Sequence, residues 1–129
     1  MKIRTFIALA VALAALAAGT AAQAVTTHVG VTAGKPSEFG FKLTTKTVKL
    51  GTVVFAVKNG GAIPHTFKVC STPRTNDTPN ACTGKVTKLL SPGQSATLTY
   101  VFKKKGKYEY LCTVAGHAAG GMKGLLTVK

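Results

Sequence analysis

Residues 108–122 read Tyr-Glu-Tyr-Leu-Cys-Thr-Val-Ala-Gly-His-Ala-Ala-Gly-Gly-Met. The first part alternates with period two: Tyr108, Tyr110 and Cys112 share one face, opposed by Lys107 and Glu109, the pattern of a half-buried strand. The second part is a run of small residues carrying His117 and Met122. Little in such a run resists a tight fold, so a strand that ends on a thiol leads into a loop able to bring an imidazole and a thioether back to it.

The same alternation recurs along the chain. Phe39/Phe41/Leu43, Val53/Phe55/Val57, Phe67/Val69 and Leu98/Tyr100/Phe102 each put apolar side chains on one face. Turn residues punctuate these runs at Gly51, Gly60-Gly61, Ser91-Pro92-Gly93, Gly106 and Gly120-Gly121. Residues 25–129 hold 17 Thr and 12 Val against 8 Ala and 2 Glu, strand proportions, because β-branched side chains suit a pleated surface. The expected fold is all-β, an antiparallel sandwich or barrel of about seven to eight short strands. Residues 71–88, rich in Thr, Pro and Asn, read as a loop excursion. No internal repeat and no helical stripe stands out.

Residues 1–24 have a different character. Lys2 and Arg4 precede an apolar run over 6–18, and Ala22-Gln23-Ala24 supplies a small-x-small cleavage site. That order predicts a secretory signal peptide over 1–24 and one domain over 25–129. The apolar run is short of the roughly 20 residues that span a bilayer. The chain is therefore expected to work in a periplasm or outside the cell, where disulfides persist. The formal charge is +14, and +12 once Lys2 and Arg4 are removed.

Three cysteines cannot all pair within one chain. Cys70 and Cys82 bracket the loop excursion, and bridging them would restrain the unfolded chain by roughly 3 kcal/mol. A disulfide is the preferred reading, with two buried thiols as the alternative. Cys112 is left over, and an unpaired thiol in an oxidising compartment needs something to occupy it.

A metal ion is the occupant the neighbouring residues suggest. Cys112, His117 and Met122 fall within eleven residues, and Asn59-Gly60-Gly61-Ala62-Ile63-Pro64-His65 offers a second imidazole behind a rigid proline. Singly, each donor has a plainer role: a surface histidine, a core methionine, a small buried cysteine. Together, two imidazoles, a thiolate and a weak axial thioether are the donor set of a type 1 copper site. Zinc often takes Cys and His, but thioether is outside its usual ligands. One copper ion held by His65, Cys112, His117 and Met122 is the expectation. His28, the remaining histidine, reads as a solvated strand residue, so too few imidazoles remain for a second, catalytic copper centre. Glu38, Asp77 and Glu109 form no pair suited to acid–base work, and there is no phosphate-binding glycine loop or nucleophile elbow. The chain is expected not to be an enzyme. One-electron carriage by Cu(I)/Cu(II) cycling is the leading expectation, with an extracytoplasmic copper chaperone or storage module as the alternative.

The Asn59-Gly60-Gly61 turn, Pro64-His65, the Tyr108-x-Tyr110-x-Cys112 strand and the Cys112/His117/Met122 loop resemble the cupredoxins, small blue copper proteins of the plastocyanin/azurin type. The resemblance covers most of 25–129. It implies a Greek-key sandwich with copper at one end, His117 at the exposed edge, and the Pro64 carbonyl approaching copper opposite Met122. Four residues between Cys112 and His117 resemble azurins; four between His117 and Met122 resemble plastocyanins. Thr66 stands where relatives commonly carry Asn.

Net positive charge favours an acidic redox donor and acceptor, or peripheral attachment to an anionic membrane or envelope surface. Nucleic acid is disfavoured, since no base-reading or stacking motif accompanies the charge. The densest cluster, Lys103-Lys104-Lys105-Gly106-Lys107, should lie about 16 Å of strand away from Cys112, at the remote end. Docking is instead expected on an apolar rim around His117 made by Ile63, Pro64, Val114, Ala115, Ala118 and Ala119, in a chain that works as a monomer.

Overall fold

The computed structural model describes residues 19, 24–74 and 82–129. The signal peptide read over 1–24 therefore lies outside the described residues, apart from Gly19 and Ala24. Among the described residues nine strands follow in order: β1 (Thr26–Ala33), β2 (Phe41–Leu43), β3 (Thr47–Val48), β4 (Gly51–Asn59), β5 (Lys68–Cys70), β6 (Gly84–Val86), β7 (Ser95–Phe102), β8 (Gly106–Leu111) and β9 (Lys123–Val128). They form two sheets, β2-β1-β4-β7 and β3-β9-β8-β5-β6, an all-β sandwich as the alternation predicts.

Not every neighbouring pair is a hairpin. β1 runs parallel to β4, with Val29 opposite Phe55, and β3 runs parallel to β9. The chain leaves β1 and β2, crosses to the other sheet at β3, and returns beside β1 as β4. A crossover of this kind permits parallel pairing, which period-two patterns do not encode. The loop excursion also contains structure: Gly84–Val86 pairs with β5 as an edge strand, and the Cys70–Cys82 disulfide ties the segment to that sheet.

The core between the sheets is aromatic and β-branched. Phe55, Phe67, Phe102, Leu90, Met122 and Leu126 are wholly buried, each contributing about 1.5–3 kcal/mol relative to exposure. Phe67 sits at the centre, its ring centroid 5.3 Å from Phe41 and Phe55 and 5.7 Å from Tyr110. Two residues before it comes His65, so the core-anchored segment leading into β5 also fixes where that imidazole begins.

Two positions depart from the alternation. Glu109, on the face of β8 that the pattern assigns to solvent, is 4% exposed. The segment after β5 folds over it: Arg74 donates its backbone N–H to the Lys107 carbonyl (2.8 Å), and its guanidinium lies 3.4 Å from the Glu109 carboxylate. Nearby, Cys70, Leu111 and Ala118 make a second, smaller apolar cluster with Cys82 against it. β8 is thus covered on both faces, which alternation alone does not reveal. The other departure is Phe39. It is not on β2, which starts at Phe41, and it is 43% exposed.

Candidate metal centre

Two segments meet at one end of the sandwich. Upstream, His65 is held by a two-way backbone bridge to Leu90, with N–H to carbonyl distances of 3.0 and 2.8 Å. The turn before it is fastened by Asn59, a wholly buried amide. Its Nδ2 donates to the Ile63 and Leu90 carbonyls, both at 2.8 Å, and its Oδ1 accepts from Gly61 N–H at 2.8 Å. A buried amide with three partners is what makes an Asn there stabilising; unpaired, it would cost several kcal/mol.

Downstream, β8 ends at Leu111 and hands Cys112 to a tight loop. His117 N–H donates to Val114 O, Gly120 N–H to Gly116 O, and Gly121 N–H to Ala118 O. The loop then closes on itself, Met122 N–H donating to His117 O and Cys112 N–H to Met122 O, both at 3.0 Å. Gly116 (φ +81°) and Gly121 (φ +109°) take left-handed turns at either side of His117, conformations that L side chains resist.

The result is a convergence of donors. His65, Cys112 and His117 are all buried, and their ligand atoms lie within 4.8 Å of one another. Nδ1 of His65 faces Nδ1 of His117 at 3.2 Å, and Cys112 Sγ is 3.5 Å from the same His117 nitrogen. Met122 is fully buried and shares the main core with Cys112. Thr66 joins the two segments: its N–H and hydroxyl approach Cys112 Sγ at 3.5 and 3.7 Å, while its Oγ1 accepts from Thr113 N–H at 2.8 Å and lies 2.7 Å from Thr113 Oγ1. Thr66 makes that link with its hydroxyl.

Three lone-pair atoms facing each other in a buried pocket gain little as a purely structural cluster. A cation between them satisfies all three at once, and soft sulfur beside imidazole suits copper. Burial and the neighbouring His65 push the His117 imidazole below its ordinary pKa, favouring the neutral form a metal needs.

Glu38 and Phe39 complete the site, and sequence reasoning missed both. Glu38 Oε1 lies 2.7 Å from His65 Nε2, and the carboxylate also accepts from the N–H groups of Ala62 (3.0 Å) and Ile63 (3.2 Å). The Ala62 hydrogen bond, then the His65 contact, hold its carboxyl below the usual range. The Phe39 ring covers His117, centroids 5.0 Å apart. Both come from a loop more than twenty residues upstream of His65, and no motif spacing points to them. Of the rim residues, Ile63, Pro64, Ala115 and Ala119 are exposed and Val114 is half-buried. Ala118 is a correction: at 7% exposure it points away from the rim into the cluster with Cys70 and Leu111. His117 is likewise buried rather than an open edge, because Phe39 lies over it.

The sequence profile of a family described as copper binding proteins, plastocyanin/azurin family, matches residues 25–129. The chain belongs to that family. This cupredoxin is 46% identical over 52 residues to auracyanin-B of Chloroflexus aurantiacus, covering 40% of this chain and 21% of that protein. It is 32% identical over 100 residues to the copper-resistant cuproprotein CopI of Rubrivivax gelatinosus, covering 69% of this chain and 59% of the relative. The matched stretches thus span less than two thirds of these relatives. Among solved structures, auracyanin B superposes with a TM-score of 0.60 at 25% identity, over 84% of this chain and 92% of that one. Reduced rusticyanin gives 0.59 at 25% identity, over 81% and 79%. The cofactor of this cupredoxin is one copper ion in a type 1 site.

Proposed function

We propose that this cupredoxin is an exported one-electron carrier whose copper is held by His65, Cys112, His117 and, as the weak axial donor, Met122. The observation that carries the reading is the buried convergence of three donor atoms within 4.8 Å on segments locked by backbone bonds. Copper supplies the Cu(I)/Cu(II) couple. The protein supplies buried donors on two segments tied by backbone hydrogen bonds, and four protein ligands leave copper no open position of the kind substrate chemistry requires. The role is therefore transport of electrons rather than catalysis. The Pro64 carbonyl is a further candidate contact opposite Met122.

The apolar run and cleavage signal in residues 1–24 support removal of that segment and work outside the cytoplasm, with 25–129 as the mature domain. A net charge of +12 favours acidic donor and acceptor proteins, or an anionic envelope surface, and speeds their encounter. Docking would use Phe39, Ile63, Pro64, Ala115 and Ala119 around the covered His117, with the chain acting as a monomer.

A second reading, copper sequestration or delivery, is favoured by the similarity to a copper-resistant cuproprotein. One experiment separates them. Purified protein loaded with one equivalent of Cu(II) should show an intense visible thiolate charge-transfer band that bleaches and returns through repeated one-electron cycles without losing metal. Copper that leaves to a mild chelator on reduction would instead support the delivery role.

A further inference from the structure

We propose that Glu38 is a positioning residue of the copper centre: through His65 Nε2 it sets which imidazole nitrogen meets the metal and biases the site towards Cu(II). The inference rests on the reading of His65 as a ligand. His65 is wholly buried, and its two ring nitrogens have different neighbours. Nε2 meets the Glu38 carboxylate at 2.7 Å, while Nδ1 faces His117 Nδ1 and the Cys112 side. An ionised carboxylate can only accept, so the ring proton resides on Nε2 and Nδ1 presents its lone pair inward. A carboxylate behind a metal-bound imidazole also raises its basicity and adds negative charge near the ion. That charge stabilises Cu(II) more than Cu(I).

The surroundings are arranged for this approach. A Cβ on Gly61 would stand 2.3 Å from Glu38 Oε1 and 3.0 Å from His65 Nε2. A Cβ on Gly34 would stand 2.5 Å from the Gly61 Cα, and Gly34 itself has φ +75°. Missing side chains at both positions make room for the carboxylate to reach the ring. Acidic residues are scarce, three in a chain with 17 basic ones. Glu109, midway along β8, is paired with Arg74, whereas Glu38 stands directly behind a proposed ligand.

Glu38→Gln keeps the shape and an acceptor oxygen but removes the charge. Dissociation constants for Cu(II) and Cu(I), each measured by chelator competition, should show Cu(II) binding weakened roughly tenfold and Cu(I) binding nearly unchanged. A tenfold change in that ratio raises a one-electron potential by about 59 mV. A merely structural clamp between the Glu38 loop and the Ala62–Ile63 turn would lower the unfolding midpoint and leave the ratio unmoved, which would overturn the proposal. His65→Ala separates the two layers. If the variant retains the charge-transfer band, the ligand reading falls and this inference with it. If the band is lost and the Glu38→Gln ratio stands still, only the role of Glu38 falls. A measurement on the unaltered metal-free chain, long-range proton–nitrogen NMR, should find His65 protonated at Nε2; an Nδ1–H tautomer would refute the assignment without any variant.

Discussion

The two segments that meet at the metal centre are built in opposite ways. The downstream loop carries Cys112, His117 and Met122 within eleven residues and closes through its own backbone bonds. The upstream segment contributes His65 alone and depends on partners from far along the chain: Asn59 reaches Leu90, Glu38 reaches His65, and Thr66 reaches Cys112 and Thr113. One is local chemistry on a flexible alphabet of Gly and Ala, the other a single donor held by long-range braces. The loop thus supplies three of the four proposed donors, and the braced segment supplies one donor with its supports.

Substitutions that strike one side and spare the other test that division. The largest effect belongs to the loop. Cys112→Ser should abolish the charge-transfer band outright, since the transition needs thiolate sulfur, and a variant that keeps the parent's colour would break the comparison. Next is the upstream brace. Asn59→Ala takes the side-chain partner from the Ile63 carbonyl and Gly61 N–H and leaves the Leu90 carbonyl with His65 N–H alone, and should destabilise the metal-free fold by about 2–4 kcal/mol in denaturant titrations. Because Asn59 touches no donor, the band of the refolded, loaded variant should keep its position.

How much of this was legible follows from the same contrast. The strand alternation of Val53/Phe55/Val57 and the donor spacing of the downstream loop are local, so they can be read from consecutive residues, and the sandwich and its copper chemistry follow. Glu38 could not be found that way. It is separated from His65 by 27 positions, and its approach is licensed by what Gly61 lacks. Its period-two relation to Phe41 places Phe39 on a strand face, but the turn after Gly34 swings it onto His117. Period and composition place Ala118 on the rim and Glu109 in solvent for one shared reason: neither shows that residues 71–74 and the cystine pack against the outer face of β8.

Two smaller effects sharpen the comparison. Thr66→Val removes the hydroxyl that joins the segments, stranding Thr113 N–H; a loss of about 1–2 kcal/mol and a shifted charge-transfer band are expected, read by thermal unfolding and visible spectroscopy. The smallest belongs to the far end, where Tyr108 donates to the Lys104 carbonyl at 2.8 Å beside the lysine hairpin. Tyr108→Phe should cost about 0.5–1.5 kcal/mol and leave the band untouched. Burial raises the Tyr108 phenol above 10.0, so the unfolded chain loses that proton first. Its contribution is intact below pH 10 and is lost as pH rises through the folded value. Unfolding midpoints measured up to alkaline pH should therefore fall more steeply for the parent than for Tyr108→Phe.

The Cys70–Cys82 bridge has a bearing on how the protein matures. Ala118 rests against Cys70 and Leu111, one position from His117, so the outer wall of the donor loop is finished by the cystine. A chain still carrying reduced thiols would offer copper a pocket with its back unsupported, and two spare sulfurs to misdirect the ion. Oxidation before metal loading is the sequence of events this architecture favours.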